Sequence, residues 1–280
     1  MAAIALALVS ALAWGSADFV GGTQGKRVAV PLILLVAFGL EAGAFALAAG
    51  VSGDGFPGLG GVWPALAGGV AGTLGAACLF QGLAIGTMSI VAPISGLNAG
   101  LPVIVGVATG DALSALQAAG IIAATGGAVL ASMEEHEDTI RAREARLGVL
   151  LGFGAALGLG CYAVGTDAVA DASVWWSLLA AKAASLLLIA AVVAVRRPQA
   201  PRTAAACLPL VAIGCLGLLG STCYVISSTL GLLSVVGVVA SLAPLTTVLL
   251  AMTLLHERIR TVQAVGVTAT FVGIALLATG

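Results

Sequence analysis

Residues 133–146 read MEEHEDTIRAREAR, the one long polar stretch in a chain that is otherwise apolar almost from end to end. On its N-terminal side, apolar runs can be marked at 3–22, 30–50, 62–83, 88–109 and 113–132, and on its C-terminal side at 147–167, 174–195, 206–228, 232–255 and 260–279. The hydrocarbon core of a bilayer is about 30 Å thick and is crossed by about 20 helical residues. Backbone polar groups in lipid have no water to bond, so each run has to satisfy them within itself, as a helix does. The reading is an all-α integral membrane protein of about ten transmembrane helices. It places five helices in 1–132, a charged connecting loop at 133–146, and five more helices in 147–280.

Composition agrees with lipid as the solvent. Of 280 residues 60% are hydrophobic and 8% charged, with a mean hydropathy of +1.17, whereas a soluble domain carries about 25% charged residues. A net charge of -1 offers no field for nucleic acid, so nucleic acid is excluded as a partner. The partners expected are the lipid bilayer and a small-molecule substrate, in a bacterial or archaeal cell membrane; oligomeric state is not legible. Cys78, Cys161, Cys207, Cys215 and Cys223 lie in or beside apolar runs without paired zinc spacing, and they read as small hydrophobes. No metal and no cofactor is expected. The opening MAAIALALVSALAWGSADFVGG lacks a basic leader region and is long enough to span, so it reads as a first membrane helix.

The two halves align weakly. Cys78, Gly86 and Ser89 match Cys223, Gly231 and Ser234 at an offset of 145; Ser95, Gln117, Gly120 and Gly127 match Ser241, Gln263, Gly266 and Gly273 at 146. A repeat of an odd number of helices places its copies in opposite orientations, which predicts two inverted five-helix repeats. Lys26, Arg27, Arg141, Arg143, Arg146, Arg196, Arg197, Arg202, Arg258 and Arg260 all fall on the face opposite the termini, which puts both termini outside the cytoplasm. Small-xxx-small spacings at Gly68 and Gly72, Gly148 and Gly152, and Gly154 and Gly158 predict close helix crossings. Pro93 and Pro102 in the fourth run and Pro244 in the ninth predict interrupted helices, which mark a binding site at a repeat interface.

Three ionisable side chains lie inside spans: Asp18, Glu41 and Lys182. Each costs about 2.5–3.5 kcal/mol in the bilayer centre, so each should face protein or water. Lys182, near the middle of its span, could bind a substrate carboxylate, or it could form a structural ion pair with Glu41 or Asp18. Glu41 could carry a coupling proton. Asp18 follows Trp14 by four residues and shares its helix face; together they could line a cavity mouth, or stand as an interfacial tryptophan beside a solvated carboxylate. Tyr162 holds a similar place by repeat offset, and Tyr224 lies one residue beyond Cys223; both are candidates for the cavity or for plain packing. Gln81, Ser95, Asn98 and Ser241 could bond a ligand or join helices, with Asn98 favoured because it stands between Pro93 and Pro102. Trp175 and Trp176 read as an interfacial belt, and His256-Glu257-Arg258 as a topology anchor or gate.

An enzyme is the rival class, and the sequence speaks against it. His136 and His256 are the only histidines, neither mid-span, so neither an HExxH metal site nor a serine–histidine pair can be assembled. The phosphate-binding pattern GxxxxGK[ST] is absent, so transport would draw on a gradient.

Residues 239–278, VASLAPLTTVLLAMTLLHERIRTVQAVGVTATFVGIALLA, resemble the closing helix pair of EamA-type transporters of the drug/metabolite transporter superfamily, through Pro244, Glu257, Gln263, Gly266 and Gly273 in that order. ALAWGSADFVGG in the first run and GTMSIVAPISGLNAGLPVIVGVATGDALSALQAAG in the fourth resemble the same family's first half. The chain departs from the pattern in having Asp111 where the second half has Glu257, and Asn98 where it has Pro244. The resemblance implies ten helices around a central cavity, helices five and ten standing peripherally, a cationic residue in the seventh helix at Lys182, and export of small metabolites, amino acids or drugs. The resulting expectation is a secondary transporter working by alternating access; the alternative is a passive channel or a non-transporting scaffold.

Overall fold

The structure is a computed structural model and describes residues 2–101, 105, 114–131, 139–170, 172–201, 203–230, 239, 242–257 and 261–279. Among them ten α-helices follow one another without a strand: α1 (Ala2–Gly25), α2 (Val30–Ser52), α3 (Leu59–Ile85), α4 (Met88–Ser95), α5 (Ala115–Ala131), α6 (Thr139–Ala170), α7 (Val174–Arg196), α8 (Ala204–Leu230), α9 (Ala243–Leu254) and α10 (Thr261–Thr279). A 3-10 turn, Gly96–Ala99, continues α4. Leu12, Leu47, Leu74, Leu157, Leu187 and Val195 are each more than half exposed. Apolar surface of that extent is satisfied by lipid and not by water, and the chain is an all-α membrane protein. Among the described residues, α1, α2, α3, α7 and most of α6 and α8 are long and apolar enough to cross a bilayer, while α4 with its turn, α9 and α10 are shorter apolar helices.

Local chemistry sets several ends. Pro31 opens α2, where its missing N–H costs nothing, and Gly53 closes it at φ 77, in the left-handed region that glycine adopts freely. Ser173 caps α7 by accepting the Trp176 N–H at 3.3 Å. One expectation is corrected. The stretch 133–146 is not loop throughout: α6 already begins at Thr139, because Ala, Arg and Glu are good helix formers and nothing there breaks the turn. With 32 residues at about 1.5 Å each, α6 is longer than the hydrocarbon core of a bilayer is thick, and Arg143, Glu144 and Arg146 near its start are exposed. The fourth run is interrupted where Pro93 predicts, since α4 tightens into a 3-10 turn after Ser95. Pro93 cannot donate to the carbonyl one turn earlier, which weakens the helix there.

α2 and α7 each have 23 residues, α3 and α8 each have 27, and Pro64 and Pro209 occupy the sixth position of α3 and α8. The principal contacts run between the first five helices and the last five. α3 lies along α6, and α8 along α1; α3 touches α7, and α8 touches α2; α2 faces α7, α4 meets α9, and α5 pairs with α10. Beyond each other, α5 and α10 pack mainly on α4 and its 3-10 turn. A core cluster that includes Phe19, Ile33, Leu34, Leu83, Met88 and Val248 fills the centre.

The α3–α6 seam is set by glycine. Gly68 meets Gly165, Gly75 meets Gly158, Gly82 meets Leu151 and Gly86 meets Gly148, in antiparallel steps of about two helical turns and a last step of about one. A Cβ on Gly75 would stand 2.7 Å from the Leu159 nitrogen and 2.9 Å from the Gly158 carbonyl carbon, so the two backbones themselves are in contact.

Candidate functional site

Phe38 and Glu41 lie three residues apart on α2 and therefore share a face. That face meets α7, where the Lys182 Nζ stands 2.9 Å from the Glu41 Oε2 with both side chains almost buried, at 12% and 6% exposure. The Nζ also lies 4.6 Å from the centroid of the Phe38 ring and 5.3 Å from that of Tyr162 on α6. The cation is thus held by one carboxylate and two ring faces, which offset its loss of water. The other carboxylate oxygen of Glu41 faces α8 at Gly217, where a Cβ would stand only 2.8 Å from it. Of the partners expected for Lys182, the structure selects Glu41 and not Asp18.

A second group lies on the α1–α8 seam. Trp14 and Tyr224 stack obliquely, centroids 5.6 Å apart and planes at 40°. The Trp14 ring is received by Gly220, whose carbonyl accepts a 2.8 Å hydrogen bond from the Ser10 hydroxyl. One turn along α1, Asp18 is half-buried. Its direction follows from its neighbours: Gly15 meets Thr246 of α9, Gly22 meets Leu83 and Met88, and Gly21 meets Phe80 of α3. On the helix Asp18 projects between those directions, toward the middle of the bundle and away from the lipid-facing stripe of Leu8 and Leu12. Among the described residues, Asp18 has no hydrogen-bond or ion-pair partner.

Contacts at the two ends tie the halves together. His256 takes the left-handed conformation at φ 55, and the chain turns so that the Glu257 carboxylate reaches α4. It accepts the Met88 N–H at 3.1 Å, the Ser89 N–H at 2.9 Å and the Ser89 hydroxyl at 2.8 Å. A carboxylate on the first amides of a helix satisfies donors that have no partner within the helix, and it complements the helix dipole. At the other end, the Ser173 hydroxyl donates to the Asp54 carboxylate at 2.7 Å, and the Trp176 indole N–H donates to the Asp54 carbonyl at 3.0 Å. Trp176 packs on Phe56 at 4.9 Å and Trp175 on Phe45 at 6.5 Å, so these tryptophans also join helices.

Other expected residues stand apart. The Asn98 amide donates to the Ser95 carbonyl at 3.0 Å, and the Ser95 hydroxyl donates to the Ala92 carbonyl at 2.7 Å, so both serve the broken end of α4. Gln81 is exposed on the same stripe of α3 as Trp63, Val70 and Leu74, directed outward and away from both groups. Ser241, Pro102 and Asp111 lie outside the described residues. Sequence reasoning missed Phe38, Gly217, the Asp54–Ser173 contact and the reach of Glu257 to α4. Only Phe38 left a signal, its spacing of three from Glu41.

The fold and these groups define a helical membrane protein with charged side chains joining its two halves at mid-depth. Residues 146–279, just under half of the chain, are similar to the EamA-like transporter family. A solved structure, described only as a crystal structure of a protein, covers 98% of this chain and 95% of its own length with a TM-score of 0.60 and 20% sequence identity, a likeness of fold. No curated protein matches the chain significantly.

Proposed function

We propose that the protein is a secondary active transporter of small metabolites, working outward by rocking of two inverted five-helix repeats about a midplane site. The observation that carries this is the Glu41–Lys182 pair, a nearly buried charge contact between the halves at the middle of both helices. Helices that only pack in lipid have no use for such a pair, and charges at that depth mark substrate or ion pathways. Support for the repeats comes from the equal lengths of α2 and α7 and of α3 and α8, and from contacts that exchange when the halves are exchanged. In this reading Glu41 and Lys182 separate and re-form as the halves rock, and Glu41 carries the coupling proton while they are apart. Glu257 on the α4 amides latches the cytoplasmic side, given the basic loops there.

Metabolite profiling of the medium tests this, comparing cells that express the wild type, a Lys182→Ala variant, or an empty vector. A compound enriched outside with the wild type alone is expected. Equal export by a Lys182→Ala variant that inserts normally would refute the role of the pair.

A further inference from the structure

The charges inside the bundle do not balance locally. Lys182 is matched by Glu41, so this pair sums to zero and presents neither a free cation nor a free carboxylate to a ligand. The groups around the Lys182 Nζ are the Glu41 carboxylate and the rings of Phe38 and Tyr162. Asp18 thus remains as an inward-directed carboxylate without a partner among the described residues. One turn away stands the oblique Trp14–Tyr224 pair. Two aromatic faces and an unmatched carboxylate on one seam form a surface that attracts positive charge and repels anions.

We infer that Asp18, Trp14 and Tyr224 form the substrate subsite for the charged end of an organic monocation, an ammonium carried on an apolar body. The cation would place its charge at the Asp18 carboxylate and its apolar part against the rings. Serine, threonine or amide side chains would serve a neutral polar ligand better, and a carboxylate ligand would need a free arginine or lysine, which this seam lacks among the described residues. The inference deepens the transporter reading and rests on it for the fate of the bound cation.

The test is calorimetric binding to the full chain in lipid nanodiscs, with phenethylammonium, phenylacetate and zwitterionic phenylalanine as probes of one shape and three charges. Saturable binding of phenethylammonium alone is expected, weakened at least tenfold by Asp18→Asn, largely restored by Asp18→Glu, and weakened severalfold by Trp14→Leu. Should Asp18→Asn fail to fold, Trp14→Leu and Tyr224→Leu carry the comparison. Binding of phenylacetate or phenylalanine in preference to phenethylammonium, no binding of phenethylammonium, or binding indifferent to all these variants would overturn the inference. Flux in proteoliposomes separates the two readings. Saturable movement of phenylacetate or phenylalanine would keep the transporter and remove the cation site. Phenethylammonium that binds through Asp18 but never crosses would keep the site and remove the transporter.

Discussion

α3 lies on α6, and α8 lies on α1, pairs that correspond when the first five helices are numbered against the last five, yet the seams are built from different materials. Between α3 and α6, glycine meets glycine at Gly68 and Gly165, Gly75 and Gly158, and Gly86 and Gly148, and the backbones touch. Between α1 and α8, Gly220 receives an indole ring, a serine bonds across, and a carboxylate stands one turn away without a partner. Backbone against backbone can move only as a rigid body. Rings and a carboxylate can turn about their own bonds and be replaced by a ligand's groups. In the reading proposed above, the first seam serves close packing and the second serves recognition.

The largest effect is expected beside the second seam. Lys182→Met leaves Glu41 buried without its cation and should cost about 3–5 kcal/mol, read as a lowered unfolding temperature in nanodiscs, with most of the loss recovered in the Lys182→Met, Glu41→Met double variant. A pair of glycine substitutions then sets the seams against each other. Gly75→Ala forces Cβ into backbone and should cost about 1–3 kcal/mol, whereas Gly220→Ala meets a Trp14 ring that can swing aside and should cost under about 1 kcal/mol. Equal losses would break the comparison. Glu257→Ala strips the first amides of α4 of their acceptor and should cost about 1–2 kcal/mol; faster amide hydrogen exchange at Met88 and Ser89 would report it directly. The smallest stability effect belongs to Asp18→Asn. It removes a charge that no described residue matches, so the fold should be unchanged or stabilised, never destabilised, while cation binding falls.

The membrane class was legible in the sequence because apolar runs of spanning length are a one-dimensional signal, and the helix positions follow from it with few changes. The start of α6 was misread because charged residues that form helix well look like loop when only hydropathy is followed. The break after Ser95 was signalled by Pro93, though not the tightening into a 3-10 turn. Of the site, Lys182, Glu41, Asp18 and Trp14 stood out because charge and large rings are rare in spans. Which charge meets which depends on how α2 and α7 rotate against each other, and no local pattern encodes that. Gln81 was misassigned for the same reason, since its polarity says nothing of which side of α3 it occupies. The grip of Glu257 on α4 spans 168 residues of chain and left no trace at short range.

The most direct test of the central claim is counterflow in proteoliposomes loaded with unlabelled phenethylammonium and given labelled phenethylammonium outside. An alternating-access carrier predicts transient accumulation of label above equilibrium, saturable, and lost in Asp18→Asn. Label that rises only to equilibrium in proportion to its concentration, or that does not enter at all, would contradict the account.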